Sequence, residues 1–281
     1  MIMATAFANW LRSTIPSFAL ALTILFFGWS AQALETLKGE AIQGGLLLLK
    51  TRPDHVLTIQ GEPLMVTPEG YAVIGFHRDE DAPITIREMA PDGHWQDHVF
   101  APKIREYQEQ RIDGLPQKMV TPPDDVLARI GRDRDVVTKA RAHATPISAF
   151  STSFIWPVQG IITGVYGSRR ILNGEPRAPH YGIDIASSKG TPVKAPADGI
   201  IRMAEDLYFT GWTIILDHGH GLSSTFLHLD TIDVPLGATI RQGEVIGTVG
   251  SSGRSTGAHL DWRVNLFSKR LDPMLMVGPM P

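Results

Sequence analysis

With 281 residues, 43% of them hydrophobic, the chain is long enough to bury two modest cores, and a formal net charge of -3 gives no electrostatic reason to expect a nucleic-acid partner. It has no cysteine, which excludes disulfides, thiolate metal sites, a cysteine nucleophile and a lipidated cysteine.

The first element in the chain is an export signal. Arg12 precedes an uncharged run from Ser13 to Leu34, Phe18 to Trp29 is strongly apolar, and Ala31-Gln32-Ala33 is a small-x-small cleavage site. Residues 1–33 therefore read as a secretory signal peptide cut after Ala33. The alternative is a retained N-terminal anchor, because the uncharged run reaches the roughly 20 residues that span a bilayer. No later segment is apolar enough to cross, so no membrane span is expected after cleavage.

Residues 34–118 are predicted to form a small β-sandwich. Short apolar runs at Leu46–Leu49, Val56–Ile59, Leu64–Val66, Tyr71–Phe76 and Ile84–Ile86 alternate with turns such as Pro53-Asp54, Gly61-Glu62 and Pro68-Glu69-Gly70. His55, His77, His94 and His98 have no ligand spacing and are expected to be solvent-exposed. Residues 119–153 are predicted to be a helical segment and linker. Pro122-Pro123-Asp124-Asp125 suits a helix start, Val126, Leu127, Ile130 and Val137 suit one apolar face, and Thr145–Ser153 has the composition of a linker.

From 154 to 281 the pattern is β again. Ile200–Ala204, Thr213–Leu216, Ser224–Leu229, Thr239–Ile240 and Glu244–Val249 lie between Gly-rich turns and imply an antiparallel, barrel-sandwich-like sheet domain. The whole chain is thus read as all-β with a short helical linker.

Five residues in this half carry the chemistry: His180, Asp184, His228, His259 and Asp261. Imidazole nitrogen and carboxylate oxygen are ordinary zinc donors, and a catalytic zinc needs three protein ligands and an open position. Gly182 and the β-branched Ile183 and Ile185 argue against a helical pairing of His180 with Asp184. His259 and Asp261, two apart on a strand, project from one face.

In these segments the chain resembles the lysostaphin-like zinc metallopeptidases, which cut peptidoglycan. The resemblance runs from about Trp156 to Pro273 through VYGSR (165–169), HYGIDIA (180–186), GTPVKAPADG (190–199), DHGHGLSSTFLHL (217–229) and SSGRSTGAHLDW (251–262). It implies that His180 and Asp184 are zinc ligands and that His228 and His259 are catalytic. Its H-x-H motif would supply the third zinc ligand at its second position, which here holds Asp261. Two readings follow. In one, Asp261 ligates, since an aspartate oxygen binds zinc at about 2.0–2.2 Å and lies about as many bonds from the backbone as the near imidazole nitrogen. In the other, the site has lost metal and chemistry, as in family members that activate cell-wall amidases.

The first reading implies an exported zinc endopeptidase that cleaves peptidoglycan cross-link peptides in the periplasm, with a cell-wall amidase or division protein as partner. Zinc would acidify water and polarise the scissile carbonyl, and His228 and His259 would share proton transfer and oxyanion stabilisation. Three other motifs compete for attention. His218-Gly219-His220 has the composition of a hairpin turn, and Asp217, Asp230 and Asp233 that of turns and surface. Gly250–Gly257 lacks the Lys-Ser/Thr of a phosphate loop and is expected to be a flexible rim. A lipoyl-like carrier would need a lysine at a hairpin tip, and none is placed there.

Overall fold

The computed structural model describes residues 34–281, so the signal peptide predicted for residues 1–33 lies outside the described residues. Residues 35–100 contribute β1 (Glu35–Lys38), β2 (Leu46–Lys50), β3 (Val56–Ile59), β4 (Glu62–Pro63), β5 (Tyr71–Gly75), β6 (Ile84–Met89) and β7 (Trp95–Phe100). They form two antiparallel sheets, β1-β2-β5 and β4-β3-β6-β7. Alternation explains the packing: Leu47, Leu49, Ala72, Ile74 and Phe76 point one way and close on Leu57 and Ile86. Leu48 and Val73 point the other way and join the main core of the C-terminal half. The Leu64–Val66 run is not a strand: the β3–β4 ladder has its last paired residues at Thr58 and Pro63, and beyond them Leu64 N–H alone reaches back, to the Leu57 carbonyl at 2.9 Å. Leu64 and Val66 are nevertheless packed against the small core, which accounts for their apolarity.

The connecting region holds β8 (Glu109–Ile112), a single turn α1 (Gln117–Val120) and α2 (Leu127–Arg141). The helix rests on the sheet through Val136, Val137 and Ala140 against Met203, Leu207 and Ile215. Leu127, predicted for the apolar face, is 51% exposed instead. The stretch after α2 lies on the body of the protein: Thr145 donates to Asp217, and Phe150 is buried in the main core.

The remaining strands are β9 (Ile161–Gly164), β10 (Arg169–Leu172), β11 (Glu175–Arg177), β12 (Ile183–Ala186), β13 (Pro192–Lys194) and β14 (Gly199–Leu207). They continue as β15 (Gly211–Gly219), β16 (Leu222–Ile232), β17 (Thr239–Ile240), β18 (Val245–Val249), β19 (His259–Leu266) and β20 (Lys269–Leu271). A sheet ordered β17-β14-β15-β16-β19-β12-β9 runs through them, with β18 on β16, β13 on β18 and β20 on β19. β10 pairs with β11 and, in parallel, with β8.

One face of this sheet is core. Ile183 and Ile185 of β12, Phe226 of β16, and Leu260, Trp262 and Val264 of β19 all point into it. The intervening residues Asp184, His259, Asp261 and Arg263 therefore point to the other face. Burying a core side chain of this size contributes about 1.5–3 kcal/mol, so the register that fixes the site face is strongly held.

Candidate metal centre

His180 sits between β11 and β12, where its backbone is fixed by two bonds. Its N–H donates to the Ser168 carbonyl at 2.9 Å, and its carbonyl accepts from Gly167 N–H at 2.7 Å. Asp184 lies on β12 and Asp261 directly opposite it on β19. His180 Nε2 is 3.1 Å from Asp184 Oδ1 and 3.5 Å from Asp261 Oδ2. All three side chains are buried. Neither His180 Nε2 nor Asp184 Oδ1 makes a directed hydrogen bond or reaches solvent, so the two are aimed at a common point more than at each other.

Two glycines make room for this convergence. A Cβ at Gly164 would collide with Asp184 Oδ2, and one at Gly182 would come within 2.7 Å of Asp261 Oδ1. The donor set, one imidazole and two carboxylates in a shielded cradle, fits a small divalent cation such as zinc.

Arginines support both carboxylates. Arg170 Nη2 donates to Asp184 Oδ2 at 2.5 Å. Arg263 donates to Asp261 through Nε at 3.0 Å and Nη2 at 2.6 Å, gripping both oxygens. Burial by itself would raise the carboxyl pKa values. Arg263 and His180 outweigh it at Asp261, which lies well below the usual range, and His180 and Arg170 lower Asp184. Burial opposes protonation of His180, but the Asp261 and Asp184 charges outweigh it and raise the imidazole pKa.

His228 and His259 stand side by side, with ring centroids 4.9 Å apart. His259 Nε2 is 3.8 Å from Asp184 Oδ1. Each ring gives its Nδ1–H to a carbonyl of the 250–257 loop: His228 to Ser252 at 2.7 Å, His259 to Gly257 at 2.9 Å. That leaves Nε2 of each neutral ring unprotonated. Burial lowers the His228 pKa to about 4. The residue also has a left-handed backbone, φ 62°, at the bulge where β16 stops pairing with β19 and starts pairing with β18. For a non-glycine residue this conformation costs on the order of 1–3 kcal/mol, and it aims the ring off the regular pleat.

The predicted five residues are thus brought together, and the histidines set aside are not among them. His218 is a core residue, bonded to the Asp198 carbonyl and Ser224 Oγ, and His220 packs against Phe150 with the rings tilted by 45°. Three expectations need correction. Asp217 is buried, because it accepts from Arg202, Thr145 and Gly219 N–H. His55 and His98 are not solvent-exposed but bind the two oxygens of buried Glu88. The 250–257 loop is tethered by Ser252 Oγ to the Leu229 carbonyl and by Arg254 to the carbonyls of Phe209 and Met119. Sequence reasoning missed Arg170 and Arg263; strand alternation from Asp261 would have found Arg263, while nothing local marks Arg170.

The family model for Peptidase family M23 matches residues 178–273, which contain all five of these residues. The crystal structure of a putative peptidase M23 from Pseudomonas aeruginosa superposes with a TM-score of 0.66 and 30% identity, covering 85% of this chain and 96% of that one. The DD-carboxypeptidase/endopeptidase Mpg of Neisseria meningitidis serogroup B is 38% identical over 102 residues, 36% of this chain. The peptidoglycan DD-endopeptidase ShyA of Vibrio cholerae serotype O1 is 34% identical over 103 residues, 37% of this chain. Each of these two matches spans only 24% of the relative's own length. A shared fold over most of both chains and a matched segment that holds the whole cluster place the protein in one lineage: it belongs to peptidase family M23.

Proposed function

We propose that the protein is an exported zinc endopeptidase that hydrolyses amide bonds in peptidoglycan cross-link peptides. The observation that carries this reading is the convergence of three shielded donor atoms beside two histidines of fixed tautomer. His180 Nε2, Asp184 Oδ1 and Asp261 Oδ2 would hold the ion, which when bound makes water more acidic and polarises an amide carbonyl.

The chain's own residues then handle the protons. With Nδ1–H tied to a carbonyl, each histidine offers a lone pair at Nε2 and acts first as an acceptor. His259, nearer Asp184, takes a proton from the attacking water as its oxygen adds to the carbonyl carbon. It returns that proton to the amide nitrogen as the C–N bond breaks, giving a carboxylic acid and an amine. His228, fixed by Ser252, accepts a hydrogen bond and orients the water. Arg263 and Arg170 keep the two carboxylates ionised and in register.

A second reading is an activator of a cell-wall amidase that has lost its own chemistry. One feature favours it: both carboxylates already have guanidinium partners, so the cluster is compensated without a metal. Metal analysis of the purified protein, paired with digestion of intact peptidoglycan, separates the two. Stoichiometric zinc and released peptides are expected; a zinc-free protein that releases nothing and stimulates a separate amidase would overturn the enzyme. In this reading the exported protein works in the periplasm, and the β-strands ahead of α1 would position or gate the site.

A further inference from the structure

Helix α2 roofs a second cavity, of about 610 Å³, whose floor is the site face of β15, β16 and β19. That volume suits a small organic ligand. Its ionisable lining is mostly basic: Arg134, Arg141, Arg263 and Arg270 against Asp133. Asp133 is committed to the N–H of Tyr208, and Arg263 to Asp261.

Arg141 and Arg270 have no such partner. Among the described residues neither has a carboxylate within salt-bridge distance. Arg141 Nη2 donates to Thr225 Oγ1 at 3.1 Å, but its Nε is shielded from water and unbonded. Arg270 Nη1 is likewise shielded and unbonded. Those two N–H groups are closed off, but Arg141 Nη1 and Arg270 Nε and Nη2 also make no hydrogen bond among the described residues and are not shielded, so each guanidinium keeps N–H groups that an acceptor in the cavity can reach. The electrostatics agree that neither cation is fully compensated by a nearby carboxylate. Burial, then Arg270 and Arg263, push Arg141 well below its ordinary value, and burial, then Arg263, push Arg270 to about 10.

We propose that this cavity is an anion subsite that takes the free carboxylate of a peptide on Arg141 and Arg270. The apolar part of the lining, with Val137, Leu207, Phe209 and Phe267, suits a carboxylate carried on an apolar residue. Planar guanidinium matches carboxylate through paired N–H groups. Arg263 belongs both to this cavity and to the Asp261 pair, so the subsite adjoins the metal centre along one sheet face. The inference goes beyond the peptidase reading, and it holds or fails on binding alone.

The test uses the full chain with two probes, acetyl-Ala-Ala bearing a free carboxylate and its C-terminal amide, and with inorganic phosphate. Phenylglyoxal modification of wild-type protein is followed residue by residue by mass spectrometry. The acid is expected to slow modification of Arg141 and Arg270 at least fivefold, with no protection by the amide. In direct titration, Arg141→Gln and Arg270→Gln should each weaken binding of the acid about tenfold. Equal protection by acid and amide, or protection by phosphate without protection by the acid, would overturn the proposal. If a variant fails to fold, the wild-type protection pattern decides by itself. A protein that binds the acid but cleaves nothing keeps the subsite and loses the peptidase reading; one that cleaves but does not discriminate acid from amide loses only the subsite.

Discussion

Asp184 and Asp261 face each other directly across the β12–β19 ladder, two carboxylates in register on one face. Like charges placed opposite each other repel. The chain offsets this with His180 between them and with Arg170 and Arg263 behind them. These three cations hold both carboxylates ionised, and a divalent ion between them would add to that compensation.

Asp261→Ala should therefore reduce bound zinc from about one equivalent to below about a tenth, because one of three ligands is lost. Asp261→His should retain the ion. Both variants strand the Arg263 guanidinium, and a lost buried partner costs enough to lower the thermal midpoint by about 5 °C. Atomic emission after dialysis, alongside thermal melting, checks both expectations. Equal zinc in wild type and Asp261→Ala would remove Asp261 from the ligand set.

His228→Ala and His259→Ala should each lose about 10²–10⁴ in hydrolysis rate while keeping most of their zinc. His180→Ala should instead release the metal. Assay on purified peptidoglycan together with zinc content gives the comparison, and equal metal loss in all three variants would contradict the division of roles.

Gly164→Ala is a test of geometry without a change of charge. Its added methyl would collide with Asp184 Oδ2. The carboxylate must swing away or the strand must shift, and zinc affinity should fall at least tenfold with the fold retained, as read by competition with a chromogenic chelator. Unchanged affinity would show that Asp184 is not held where the metal needs it.

Acid should destabilise the protein through the buried imidazole of His218. Burial lowers His218 to about 4, below the roughly 6.5 of an unfolded chain. A depressed folded pKa means the unfolded state binds more protons, so this contribution is present above pH 6.5 and is lost as pH falls towards 4. By pH 5 the loss from His218 amounts to about 2 kcal/mol. Urea midpoints at pH 7 and pH 5 measure it. His218→Gln should be less stable at pH 7 and show a shallower pH dependence; an equal slope in the variant would assign the loss elsewhere.

The convergence of these residues was legible through the resemblance of their motifs to the lysostaphin-like family, and the apolar alternation of β12 and β19 adds the face on which two of them lie. Ile183 and Ile185 fix the face of Asp184, and Leu260 and Trp262 fix that of Asp261. What supports the cluster was harder to see. Arg170 reaches Asp184 from the β10–β11 hairpin, and Ser252 and Gly257 act through backbone carbonyls, which carry no residue signature. β7 escaped notice because its burial is shallow and its composition, Trp-Gln-Asp-His-Val-Phe, is mostly polar. Asp217 looked like a turn residue since its partners, Arg202 and Thr145, lie 15 and 72 positions away. Long-range pairing of this kind is set by packing, and local composition does not contain it.

Leu48 and Val73 lie in the same apolar core as Ile183, Leu260 and Trp262, and Arg105 reaches across to Asp272 at 2.9 Å. Covalent continuity is therefore not what keeps the early strands with the sheet that bears the cluster. A protease that nicked the segment after α2 would leave two fragments still associated. They would migrate together under native conditions and separate only in denaturant. Conversely, a truncated chain beginning at residue 154 would expose the apolar surface that Leu48 and Val73 cover, and would be expected to aggregate.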